Sequence, residues 1–328
     1  MASLKFDNVY IKNAFSLAGP LEKEGQIKKF DLTMDDYYYN EKTFEQAEIK
    51  MQRVVIENIL SKNKLADSDI DCLIGGELYN QIAITSYSAK HFQIPFLGLY
   101  SACATFVESL LIGANLIASK QAKNIIAITS SHNLNSEKQF RFPVEYGAPK
   151  LHSSTFTATG CVGALLTNFK SNIKIESATI GTPIDMGMKD VNNMGGVMAP
   201  AAAETLMKHL SETNRTINYY DLILTGDLGS VGMDIFKEYL KINYNLKLNK
   251  YMDAGSELYK NDQATYAGAS GPTPLPLVLF NRILKNNKYK KILIIGTGSL
   301  HTVSLVNQKR TIPAIAHAVS LEVSVWYF

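Results

Sequence analysis

Two kinds of apolar run alternate along the chain. Compact blocks that stop at glycine or a small polar residue are followed by longer stretches whose apolar positions recur at helical spacing. DCLIGGEL (71–78), KNIIAITSSH (123–132), DLILTGDL (221–228) and KKILIIGTGSLH (290–301) belong to the first kind and predict buried strands of parallel-sheet type. Of the second kind, Phe44, Ala47, Met51, Val55 and Ile59 trace one face of a long amphipathic helix. ATFVESLLIGANLIASK (104–120) and TPLPLVLFNRIL (273–284) are also helix-compatible, the latter with prolines near its start. IPFLGLYSACATF predicts a strand over Ile94–Tyr100, a sharp small-residue turn and a buried Ala/Gly-rich helix. In GGVMAPAAAETL (195–206), Pro200 is placed to start a helix.

These blocks come in matched pairs. Asp71, Gly76 and Leu78 recur as Asp221, Gly226 and Leu228, and Glu77 is answered by Asp227. The two Lys-initiated runs repeat in the same order. Strands alternating with helices predict an α/β fold of mostly parallel sheets. The echo predicts two duplicated halves, 1–170 (with a loop insertion at about 132–155) and 171–328, forming one structural unit.

Composition narrows the function classes. The 328 residues are 46% hydrophobic, an ordinary globular composition. With 33 basic and 30 acidic residues the net charge is +3, and no dense basic tract argues for nucleic acid. Cys72, Cys103 and Cys161 make an odd count, which excludes a disulfide framework and predicts reduced thiols in a cytosolic-type compartment. No cationic N-terminus precedes an apolar block, so no signal peptide is expected. No apolar run reaches the roughly 18–20 residues of a spanning helix, so a membrane role would be peripheral. The terminal SVWYF reads as a strand packed on the body.

Cys103 is the strongest chemical candidate, because it falls where a strand turns sharply into a helix. Unpaired backbone N–H groups and the positive end of the helix dipole favour an anion there. Cys72 and Cys161 lie within apolar strands and read as core. A reactive thiol needs a base or cation nearby. His132 and His301 close strands and are placed to reach the site, His317 suits a strand interior, and His209 in MKHLSE reads as solvated. Spacing alone selects none of them.

The duplicated halves and the cysteine at a buried helix resemble the thiolase fold of ketoacyl synthases and thiolases. More narrowly, GGELYNQ (75–81), IPFLGLYSACAT (94–105), TSSHN (129–133), KQFRFPVEYG (138–147), TFTATG (155–160), GGVMAPAAAETL (195–206), YDLILTGDLGSVG (220–232) and IPAIAH (312–317) resemble the stage V sporulation protein AD family, the dipicolinate-binding branch of that superfamily. The resemblance implies two five-stranded-type mixed sheets with helices between and outside them. It also implies a homodimer and a place at the periphery of the spore inner membrane, on a forespore or mother-cell compartment of cytoplasmic type. The implied partners are membrane-embedded SpoVA proteins, and the implied role is dipicolinate uptake into the developing spore, with release on germination as a second role.

Departures from working condensing enzymes bear on activity. Where those need a histidine after the second-half strand, this chain has Gly226 and Asp227, and where they need histidine or asparagine later, YAGASGP (266–272) supplies Ala269 and Ser270. The expectation is a scaffold without catalytic residues, Cys103 being a vestigial nucleophile, and without cofactor or resident metal. Dipicolinate would bind free or as its calcium chelate. Backbone N–H groups at Cys103 and Ala104 would hold one carboxylate and Arg141 the other. Phe140, beside Phe142 and Tyr146, would wall the ring, with His132 a further donor, Gly298 in a Gly296–Ser299 turn a cradle, and Asp227 close by. The alternative is an acyl-transferring ketoacyl-synthase-like enzyme that uses Cys103, with His132 or His317 as base.

Overall fold

In the computed structural model, which describes residues 2–140 and 150–324, the compact apolar blocks are strands and the periodic stretches are helices. The first half runs β1 (Tyr10–Ala18), α1 (Phe44–Asn63), β2 (Cys72–Gly76), α2 (Ala83–Ala89), β3 (Phe96–Gly98), α3 (Thr105–Ala118), β4 (Asn124–Ser131), α4 (Asn133–Phe140) and β5 (Gly160–Thr167). The second runs β6 (Ile173–Thr179), α5 (Met194–Thr213), β7 (Leu222–Thr225), α6 (Gly229–Tyr244), β8 (Tyr251–Asp253), α7 (Pro274–Val278), β9 (Lys291–Ser299) and β10 (Ala314–Val323).

Strand order repeats with the sequence echo. The set β3-β2-β4-β5-β1 is answered by β8-β7-β9-β10-β6. In each, β5 or β10 runs antiparallel to both neighbours, while β2 and β7 are parallel to theirs. The two sets join where Tyr10 and Ile11 pair with Lys174 and Ile173. The echoed aspartates do the same work in each half. Asp71 accepts the backbone N–H groups of Lys123 and Asn124 at 2.7 and 2.9 Å, and Asp221 those of Lys290 and Lys291 at 2.9 and 3.0 Å. Each pins the start of one strand to its parallel neighbour.

Alternation along the strands sorts side chains into layers. Ile125 and Ala127 face the centre, where α3 packs against β4 and β9 with Phe106, Val107, Leu110 and Ala114. Ile126 and Ile128 face outward onto Met51, Val55 and Ile59 of α1. In the second half Leu293 and Ile295 face outward onto α5. Helices therefore lie outside both strand sets and between them, as the resemblance implies. The strands, however, form one continuous sheet rather than two mostly parallel sheets. Antiparallel pairs are as common in it as parallel ones, because β5, β10 and β1 run against their neighbours.

Three local expectations differ from the structure. Pro200 sits inside α5, which is instead capped by the Asn193 side chain accepting from Gly196 N–H at 3.1 Å. The stretch 273–284 is α-helical only through Val278, then continues as a wider turn over Leu279–Ile283 and a tight one over Leu284–Asn286. The predicted strand Ile94–Tyr100 contracts to β3, because the following residues already turn toward the site.

Candidate functional site around Cys103

Cys103 stands on a single tight turn, Ala102–Ala104, between β3 and α3. Ala102 has φ +49°, a left-handed conformation that a residue with a Cβ adopts only at a cost. The turn is held by several bonds. Ala104 N–H donates to Ser101 O at 3.0 Å, Thr105 Oγ1 donates to Ala102 O at 2.7 Å, and Ser101 N–H donates to Thr105 Oγ1 at 3.0 Å. Behind it, β9 supplies Gly296 and Gly298, whose missing Cβ atoms leave room for Val107 and for the Ser101 carbonyl. His317 on β10 accepts Gly181 N–H at Nδ1 (3.2 Å), so its Nε2 carries the proton and faces Ser101 Oγ at 3.4 Å. Burial pushes that imidazole down to about 4, so it is neutral near pH 7.

The turn presents Cys103 to a narrow cleft with a free volume of about 20 Å³, room for little more than a water molecule. Leu78, Phe140 and Met194 give it apolar walls, and Ser136, Thr157, Ser270, Ser299 and His301 bring polar groups. The Phe140 and His301 rings lie 5.3 Å apart, and His301 Nδ1 is 3.0 Å from Ser299 Oγ. Glu137 also lines the cleft; it is paired with Lys150 at 3.2 Å and accepts from Thr157 Oγ1 at 3.1 Å.

Asp227 lies behind Cys103, not in the cleft wall. Its carboxylate accepts from Thr297 Oγ1 at 2.7 Å, from Gly271 N–H at 3.0 Å and from the Cys103 thiol. Burial raises it to about 7; the three hydrogen bonds oppose that rise and the Asp253 charge adds to it. Its echo Glu77 instead accepts Ile84 and Thr85 N–H at 3.0 and 3.2 Å, at the start of α2. The paired acids thus occupy equivalent places with different tasks.

The sequence candidates divide accordingly. Cys103 and Phe140 meet in the cleft, and Asp227 and Gly298 support it from behind. The Ala104 N–H is committed to Ser101 O, so it is not open to a ligand carboxylate. Gly296–Ser299 is the end of β9, where Gly298 makes room for the turn and Ser299 is the residue that reaches the cleft. His132 points elsewhere: its Nε2–H donates to Tyr37 O at 2.8 Å and its ring stacks on Phe44 at 5.0 Å. His209 is buried, not solvated, between Thr179 Oγ1 (2.7 Å) and Tyr220 OH (2.6 Å). Arg141, Phe142 and Tyr146, with most of SVWYF, lie outside the described residues. Sequence reasoning missed Ser136 and Glu137; with Phe140 they fall at helical spacing on one face of α4, the signal that would have found them.

Comparison with known proteins gives this geometry a lineage. The family model for stage V sporulation protein AD (SpoVAD) matches residues 2–322. The curated protein of that name from Bacillus subtilis is 39% identical over 318 residues, covering 96% of this chain and 94% of the relative. The chain belongs to the SpoVAD family. Solved structures show the wider fold. A variant of Xanthomonas campestris OleA aligns with TM-score 0.62 at 11% identity over 98% of this chain and 99% of that one. The 3-oxoacyl-[acyl-carrier-protein] synthase III of Aquifex aeolicus aligns with TM-score 0.52 at 15% identity over 98% and 99%. The SpoVAD fold is therefore that of thiolase-type condensing enzymes. Among the described residues, no group of three or more His, Cys, Asp or Glu is arranged to hold a metal ion, and no helix is long and apolar enough to cross a membrane.

Proposed function

We propose that this SpoVAD-family chain is a non-catalytic binder of dipicolinate, and that the cleft at Cys103 holds the ligand during its uptake into the developing spore. The observation that carries the reading is the Asp227 carboxylate bonded to the Cys103 thiol. An ionised acid at that distance opposes thiolate formation, and its neutral form donates no charge to stabilise one. With Ala269 and Ser270 in a short strand paired with Phe156 and Thr157, the basic partner that activates a condensing cysteine has no counterpart in the residues expected to supply it.

The cleft suits a small planar ligand with polar ends. Its free volume of about 20 Å³ is well below that of a ligand pocket, so a ring enters only when the cleft opens; Phe140 then offers a ring face, and the serine hydroxyls and His301 offer donors. Glu137 is balanced by Lys150, and the Asp227 oxygens are already occupied, which limits repulsion of a dianion. Because the cleft is narrow, Phe140 or Met194 must change rotamer to admit the ring, an ordinary adjustment on binding. Arg141, next along the chain from Phe140, is the proposed second-carboxylate partner. The protein would act at the spore inner membrane beside membrane-embedded SpoVA proteins and as a homodimer.

Calorimetric titration with dipicolinate, with and without calcium, tests this. Saturable binding is expected, weakened about tenfold or more by Phe140→Ala and by Arg141→Ala. No heat at millimolar ligand would refute it. Turnover of acyl-CoA that is lost in Cys103→Ser would instead establish the acyl-transfer alternative.

A further inference from the structure

At the end of the molecule opposite the cleft, the strands β2, β4, β7 and β9 begin and the helices α1 and α3 finish. This end carries a set of exposed lysines. Lys12, Lys62 and Lys285 rim a shallow depression of about 510 Å³ with Ile173, Phe280 and Leu284 in its lining. Lys123, Lys170 and Lys290 continue the set along the same edge: Lys123 O accepts Asn168 N–H at 3.2 Å, and Lys290 O accepts Val323 N–H at 2.8 Å. All six lysines are exposed, and none forms an ion pair among the described residues. The acids on this end are held by hydrogen bonds but still offset part of the positive charge, Asp221 lying close enough to Lys290 to feel its charge. Asp71 and Asp221 hold backbone amides, Asp67 and Asp69 hold those of Gln93 and Ala66, and Asp31 holds Ser16.

Helix dipoles account for a lysine at a helix C-terminus, such as Lys62. They do not account for Lys12, Lys123 and Lys170 on strands and strand connections. Nor do they account for Phe169, which projects from the β5–β6 connection beside Lys170 with 63% of its surface exposed. A large aromatic held in water amid exposed lysines is the composition of a surface that meets lipid: the cations are drawn to anionic headgroups and the ring enters the interface.

We propose that this lysine-rich end, centred on Phe169, is a direct docking face for an anionic phospholipid bilayer. With this face on the membrane, the Cys103 cleft points away from the bilayer. The apolar-lined depression and Phe169 favour lipid over nucleic acid, which would use the lysines alone. The proposal extends the peripheral placement suggested above, yet it is tested without dipicolinate.

The experiment is co-sedimentation of the full chain with vesicles of phosphatidylcholine alone or mixed with phosphatidylglycerol. Partition only onto the mixed vesicles is expected, declining as salt is raised. Lys123→Gln/Lys170→Gln/Lys290→Gln should weaken it about a hundredfold, and Phe169→Ser about tenfold. All four positions are exposed, so unchanged circular dichroism and unchanged urea denaturation would show that only this face is lost. Absence of binding to mixed vesicles at low salt would overturn the proposal while leaving the ligand reading untouched. Binding that the lysine variant abolishes but Phe169→Ser leaves intact, with equal competition by duplex DNA, would overturn it in favour of a polyanion site.

Discussion

Thr297 donates a 2.7 Å hydrogen bond to Asp227, the same acid that accepts from the Cys103 thiol. The thiol is thereby tied to β9 through a buried carboxyl whose protonation changes near neutrality. In the unfolded chain this group titrates close to 3.8, and in the fold at about 7. A raised acid contributes stability that is fully present below its unfolded value and is lost as pH rises through its folded value. Asp227→Asn removes the charge while keeping the shape. The wild type should therefore lose stability relative to Asp227→Asn between pH 5 and pH 8, by roughly 3 kcal/mol. Urea denaturation of both proteins across that range measures it, and a constant difference would refute it.

The echoed glycines Gly76 and Gly226 should respond unequally to alanine. A Cβ on Gly76 would overlap the Leu99 carbonyl oxygen, which is backbone and cannot swing aside. On Gly226 it would meet Thr297 Oγ1 at 3.3 Å, a contact that a side chain can relieve. Gly76→Ala should lose about 3 kcal/mol or more, against about 1 kcal/mol for Gly226→Ala. Thr297 would yield by slackening its bond to Asp227, so Gly226→Ala should also shift the pH dependence described above. Equal losses in chemical denaturation would show that the two halves are packed alike at this point.

Much of this architecture was legible because it is local and repeated. A strand that stops at glycine and an acid, twice, with a helix after each, needs no long-range knowledge to recognise. Cys103 stood out for the same reason, since strand, turn and helix are contiguous. What stayed hidden depends on partners distant in sequence. His209 has Lys208, Ser211 and Glu212 as neighbours and reads as solvated, yet the fold sets it between Thr179 and Tyr220. His132 closes a strand as a site residue would, and is turned away by Phe44 and the Tyr37 carbonyl. Pro200 resembles a helix start, but Asn193 caps the helix earlier, and burial on every side of α5 holds the proline inside it.

His209 supplies the opposite pH response. Burial and the nearby Arg215 charge push it down to about 4, so it folds neutral, with both ring nitrogens in hydrogen bonds. A depressed base contributes stability that is present above its unfolded value near 6.5 and lost as pH falls toward its folded one. Wild-type stability should fall between pH 6.5 and pH 4 more steeply than that of His209→Gln. His209→Ala should lose about 3 kcal/mol at pH 7, because it leaves a void and removes the partner of two buried hydroxyls. Parallel slopes for the wild type and His209→Gln would mean that the imidazole takes up a proton without disturbing the fold.

Ala102 is the residue on which presentation of the Cys103 thiol turns. Its φ of +49° is costly for any side chain and most costly for one branched at Cβ. Glycine would relieve that cost, but it gains freedom in the unfolded chain, and the two effects nearly cancel. Ala102→Gly should therefore change stability by less than about 1 kcal/mol, while Ala102→Val should lose about 2 kcal/mol or more. The two variants should also separate in chemistry. Ala102 lines the cleft beside Cys103 and shares its turn with Ser101 and Thr105, so a turn forced back to negative φ would carry the thiol out of line with Asp227. Alkylation of Cys103 by iodoacetamide should match the wild-type rate in Ala102→Gly and differ in Ala102→Val, with Cys103→Ala correcting for Cys72 and Cys161. Identical rates and stabilities in all three proteins would show that the turn carries no strain and does not set the position of the thiol.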